Sequence, residues 1–127
     1  MLYKRKAKGS IDEVSARLES AAADNQFGVL GVHNLKDKLA AKDIELGCEC
    51  RIFEVCNPGQ AKKVLDRDMS IANALPCRIA VYEEDGAIQV TMLQPTELLG
   101  LFGQPELRPV AQDVEAAMER IIETACG

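Results

Sequence analysis

Two cysteines in this chain sit beside prolines, in Val55-Cys56-Asn57-Pro58 and in Leu75-Pro76-Cys77-Arg78. A thiol placed at a helix start or next to a cation is drawn toward its nucleophilic thiolate. If Asn57 caps a helix whose first residue is Pro58, Cys56 lies just before free backbone amides at the positive end of the helix dipole. Arg78 follows Cys77 and would support its thiolate only if the two side chains converged, which neighbours in a strand do not do by default. Two such thiols meeting in space would suit redox chemistry, sulfur transfer or a soft metal. The same residues also have a plain structural reading. Asn57 with Gln60 forms a capping box, Cys56 with Ala61 a hydrophobic staple, and Cys77 a small buried hydrophobe at a strand start.

Cys48 and Cys50 are two residues apart and would share one face of an extended segment with Cys56. Two to four of the thiols Cys48, Cys50, Cys56 and Cys77 are therefore expected near one end of a sheet, as a candidate soft-metal set. Cys-x-Cys lacks the spacing of a zinc knuckle, and no Cys-x-x-Cys is present. His33, the only histidine, falls at a strand end just before Asn34, where it is either a ligand, a general base or a polar strand-end residue. With Cys56, Asn57, Cys77 and Arg78 it completes the candidate ligand-binding residues. Gly28-x-x-Gly31 is not a phosphate loop, because no Gly-Lys-Ser/Thr follows. Glu83-Glu84-Asp85 reads as a solvated turn. No nucleophile–base pair or nucleotide loop is legible, so no catalytic residue or cofactor is assigned and the sequence favours a role other than catalysis.

The elements that must position these residues follow from local signals. Tyr3 to Lys8 reads as a strand. Ser10-Ile11-Asp12-Glu13 is a capping box that opens a helix with Ile11, Val14, Leu18, Ala21 and Ala22 on one stripe. Phe27 to Val32 and Cys50 to Val55 read as strands. Asn34 caps a short helix carrying Leu35 and Leu39. A helix runs from Asn57-Pro58 to about Arg67, with a helical turn near Ile71 to Leu75. Arg78 to Glu83 and Ala87 to Leu93 flank Asp85-Gly86, the strongest hairpin signal in the chain. Pro95 to Phe102 is a short helix or an apolar loop. Its run Leu98-Leu99-Gly100-Leu101-Phe102-Gly103 would pack on its own core, cover a pocket or meet another subunit. Val110, Val114, Ala117, Met118, Ile121 and Ile122 recur at helical spacing behind Pro109, giving a long last helix. The order predicts one α+β domain over residues 1–127, an antiparallel sheet covered by helices on one face.

Composition narrows the function classes. The chain has 127 residues, a formal net charge of −5, 47% hydrophobic residues and only 4% aromatics. The negative balance disfavours nucleic-acid binding, which draws on counterion release at a basic face. Lys4, Arg5, Lys6 and Lys8 form a local basic cluster without interleaved aromatics and read as a solvated strand. No apolar run approaches a membrane span, and the basic start is not followed by the apolar core of a signal peptide, so a cytoplasmic location is expected. In a reducing compartment, the odd count of five cysteines points to free thiols or metal ligands, with Cys126 a spectator.

Taken together, Phe27-Gly28-Val29-Leu30, Leu35-Lys36, Arg51-Ile52-Phe53-Glu54-Val55-Cys56-Asn57-Pro58, Ala61, Leu75-Pro76-Cys77-Arg78-Ile79, Val81-Tyr82-Glu83 and the hairpin at Gly86 make the chain resemble the DUF302 family of small bacterial and archaeal proteins (the TT1751-like superfamily). The resemblance covers essentially the whole chain, and Cys-Asn-Pro with Leu-Pro-Cys is its most specific part. It implies a TBP-like α+β fold and a homodimer, and brings no activity or catalytic residue. The TBP-like label carries no implication of DNA binding. Cys48 and Cys50 stand outside the family pattern. Two functions are expected from the whole reading: a dimeric small-ligand or accessory binding module with a pocket near Cys56 and Cys77, or a thiol-based redox, sulfur-transfer or soft-metal protein using those two cysteines.

Overall fold

A computed structural model describes all 127 residues. Five strands form one sheet: β1 (Leu2–Ala7), β2 (Gly28–Asn34), β3 (Cys50–Cys56), β4 (Cys77–Glu84) and β5 (Ala87–Leu93), in the order β1-β5-β4-β3-β2 with every pair antiparallel. The helices are α1 (Ile11–Asp24), α2 (Leu35–Ala40), α3 (Pro58–Arg67), α4 (Pro95–Gly100) and α5 (Arg108–Cys126), with short 3-10 segments at Met69–Ala74 and Pro105–Leu107. The expected α+β architecture, including the long C-terminal helix, is what the chain adopts.

Local chemistry sets the element starts. The Glu13 amide donates to Ser10 Oγ at 3.1 Å and the Ser10 amide to Glu13 Oε1 at 3.0 Å, so the capping box of α1 is complete. The Asp37 amide donates to Asn34 Oδ1 at the start of α2. The hairpin between β4 and β5 turns at Asp85 and Gly86, with φ of 52° and 75°. Two successive positive φ values match the right-handed strand twist, and an Asp-Gly pair adopts them at low cost.

Strand alternation divides the sheet into two faces. Phe53, Val55, Ile79, Val81, Val90 and Met92 are buried and belong to one cluster with Val14 and Leu18 of α1 and Met118, Ile121 and Ile122 of α5. Helices α1 and α5 therefore cover that face. Burying each such side chain contributes about 1.5–3 kcal/mol. The opposite face carries Ile52, Glu54, Cys56, Arg78, Ala80 and Thr91. Arg51, on the helical side, donates to Ser15 Oγ at 3.1 Å and to Asp12 Oδ1 at 2.7 Å and so ties β3 to α1. A smaller core of Val64, Ile71 and Leu107 joins α3 to the two 3-10 segments. Leu99 and Phe102 pack against it, so the apolar run after Pro95 does form α4 and does pack on its own chain. Between Val29 and Gly31 the pairing of β2 with β3 shifts by one residue, and the extra residue, Leu30, is left exposed.

Candidate functional site

The end of the sheet where β3 finishes, β4 begins and β5 finishes opens into a cavity of about 460 Å³. Each flanking segment is placed there by a local stop signal. Asn57 ends β3 by capping α3, its Oδ1 accepting from the Gln60 amide at 3.1 Å. Asp68 starts the 3-10 segment by accepting from the Ser70 amide at 2.9 Å. Pro95, at the first turn of α4, follows β5 after one residue, Gln94. The chain thus leaves the sheet twice, through α3 with the 3-10 segment and through α4, and these walls enclose the space beyond the strand ends. Residues of both sheet faces line it, among them Val55 and Met92 from one face and Ile52 and Thr91 from the other. The cavity therefore wraps the end of the sheet. Its exposed members, Leu2, Asn73, Leu93, Leu101 and Arg78, mark the mouth, and buried Phe27, Val64, Val114 and Met118 mark the interior.

Of 26 lining residues, 19 are hydrophobic. The polar members are Asn57, Gln60, Asn73, Arg78 and Thr91, and no Asp or Glu is among them. A mostly apolar concavity with a few polar groups is the usual form of a small-molecule site, and its volume lies in the usual range of roughly 300–1,000 Å³.

Cys56 and Cys77 both line this cavity, and Cys77 pairs across the ladder with Val55. Strand spacing and rise then put the Cα atoms of Cys56 and Cys77 about 6 Å apart. That distance suits a disulfide, but alternation sends the two side chains to opposite faces of the sheet. All five cysteines are free. Burial pushes the Cys77 thiol up to about 11, with a smaller push from Cys56 beside it. Burial raises the Cys56 thiol as well. Desolvation disfavours the charged form, so the Cys56 thiol is moved away from the thiolate expected at a helix start.

Of the two to four thiols expected near one end of the sheet, two are there, Cys56 and Cys77, and the full set of four is not. Cys50 opens β3 and Cys56 closes it, which separates them by about 20 Å of extended chain. Sharing a face is not sharing an end. Cys48 and Cys50 lie at the far end of the strand, where burial and then the neighbouring Cys48 raise the Cys50 thiol. Neither lines the cavity, and no three His, Cys, Asp or Glu side chains come together anywhere in the chain.

His33 also stands outside the cavity lining. It is bonded on both ring nitrogens: Nε2 to Glu54 Oε1 at 2.6 Å and Nδ1 to Lys38 Nζ at 2.6 Å. An ammonium only donates, so Nδ1 accepts and Nε2 carries the hydrogen given to Glu54. Glu54 is the cross-strand partner of Arg78, yet its carboxylate is engaged by His33. The Arg78 guanidinium, exposed at the cavity mouth, has no side-chain hydrogen bond or ion pair.

Gln60 corrects the capping-box reading of α3. The bond from its amide to Asn57 is present, but the return bond is not, since Gln60 Oε1 is buried without a partner. Its side chain lines the cavity instead. Sequence reasoning absorbed Gln60 into the cap and passed over Asn73 and Thr91. The missing signal was contact between segments distant in the chain.

The family described as "Domain of unknown function DUF302" matches residues 3–125. A crystal structure of an uncharacterized conserved DUF302 protein from Bacillus stearothermophilus superposes with a TM-score of 0.93 at 31% sequence identity, covering 99% of this chain and 98% of that one. No curated protein matches the chain.

Proposed function

The chain belongs to the DUF302 family, and from that premise we propose that it is a small-ligand binding module whose site is the cavity at the end of the sheet, beside Cys56 and Cys77. The observation that carries this reading is the cavity itself: about 460 Å³, with 19 hydrophobic residues among 26. A ligand seated in an apolar concavity of this size gains dispersion contacts with its walls. The thiol-based alternative draws less support, because redox or transfer chemistry needs an ionised sulfur and burial raises both Cys56 and Cys77.

The neutral fluorophore N-phenyl-1-naphthylamine tests the reading. It is expected to bind the wild type at one site per chain with enhanced emission. Ala61→Trp, which places a large ring in the lining of the cavity, is expected to abolish that site while circular dichroism stays unchanged. No saturable binding to the folded wild type would remove the proposal.

Two further elements belong to the same proposal. Assembly as a homodimer is supported by the family resemblance and by exposed apolar side chains away from the cavity mouth, such as Leu30 and Val32 on the edge strand β2. A one-chain mass in light scattering would remove it. A cytoplasmic location is supported by five unbridged cysteines. No helix is long and apolar enough to cross a membrane. Cell fractionation checks the location.

A further inference from the structure

Resting on the reading of the cavity as a ligand site, we propose that its ligand is an amphiphilic anion: a hydrocarbon body in the interior and a carboxylate at Arg78. Three observations converge on this class. First, Arg78 is the only charged residue in the lining, and it stands at the exposed mouth while the interior is apolar. A ligand that is charged at one end and apolar at the other matches that order without burying an unpaired charge. Second, Arg78 is kept available. Its cross-strand neighbour Glu54 would neutralise it, but His33 holds Glu54 at 2.6 Å, and Lys38 holds His33 from the other side. Third, the guanidinium fork is shaped for two parallel bonds to a carboxylate. In a chain of net charge −5 the attraction is local to this mouth rather than a property of the whole surface.

The lining also speaks against a cationic amphiphile, since no Asp or Glu lines the cavity. His33 is a positioning residue in this scheme: it touches Glu54 and does not reach the ligand.

The test is displacement of N-phenyl-1-naphthylamine by decanoate, decan-1-ol and decylamine at pH 8 and low salt. Decanoate is expected to compete about fivefold more tightly than decan-1-ol, the size of a partly exposed ion pair. That advantage should shrink in 0.5 M salt, as screening requires. In Arg78→Gln the ratio of the two affinities is expected to fall to near one. A ratio near one in the wild type, a preference for decylamine, or a ratio unmoved by Arg78→Gln overturns the anionic class while the cavity reading stands. Failure of all three chains and of the fluorophore to bind the folded wild type overturns both.

Discussion

Raising the pH from 8 to 11 probes the environment of Cys77 directly. Burial moves its thiol from the ordinary 9.0 to about 11, so the sign of the effect is fixed. Below the unfolded value the thiol is protonated in both states, and the folded protein keeps its full stability. Between 9.0 and about 11 the unfolded chain ionises and the folded chain does not, so stability falls as pH rises through the folded value. The shift of two units corresponds to about 2–3 kcal/mol. Tyr3 titrates in the same direction, raised to about 12 by burial and by its hydrogen bond to Glu123, so a control is needed. Urea unfolding under reductant should show the wild type losing about 2 kcal/mol more than Cys77→Val over this range. Alkylation gives an independent reading. At pH 8 the thiolate fraction of Cys77 is about ninetyfold below that of an ordinary thiol, and the greater nucleophilicity of a high-pKa thiolate returns about eightfold. Iodoacetamide should therefore label Cys77 about tenfold more slowly than a free cysteine. Equal pH dependence in the two proteins, or labelling of Cys77 at the ordinary rate, would refute the reasoning and restore a reactive-thiol site.

Other outcomes follow from single contacts. Gln60→Met removes a buried oxygen that has no partner, and should raise stability by about 1 kcal/mol, read as a thermal shift of a few degrees. An unchanged or lower melting temperature would mean that the oxygen is satisfied. His33→Ala releases the Glu54 carboxylate to pair with Arg78, so the preference for decanoate over decan-1-ol should drop while the fold persists. An intact preference would separate His33 from the site. Diamide treatment of the folded protein should leave Cys56 and Cys77 unbridged, since their side chains leave opposite faces of the sheet, and mass spectrometry of a two-cysteine variant would show it.

The sequence carried the parts of this molecule that depend on short-range chemistry. The capping box at Ser10, the Asn34 and Asn57 caps and the Asp85-Gly86 turn involve partners within a few residues, so spacing alone revealed them. The same logic misread Gln60. A capping box predicts two bonds from one pattern, and tertiary packing drew the Gln60 side chain away from the second. The four-thiol cluster failed for a related reason: period-two alternation reports which face a residue takes and nothing about position along the strand. The pairing of His33 with Glu54 spans 21 residues and depends on the β2–β3 register, which no local motif encodes. The cavity depends on α3, the first 3-10 segment and α4 meeting beyond the sheet, and the proline-flanked cysteines marked its location without disclosing its apolar character.

Methyl-resolved NMR of the wild type titrated with decanoate tests the central claim most directly. The account predicts saturable shifts at cavity-lining methyls, Met92, Met118, Leu75, Leu98 and Leu99 among them, with Leu30 and Val32 on β2 unmoved. Saturating decanoate that leaves those five residues unshifted, or shifts that concentrate on β2, would contradict it.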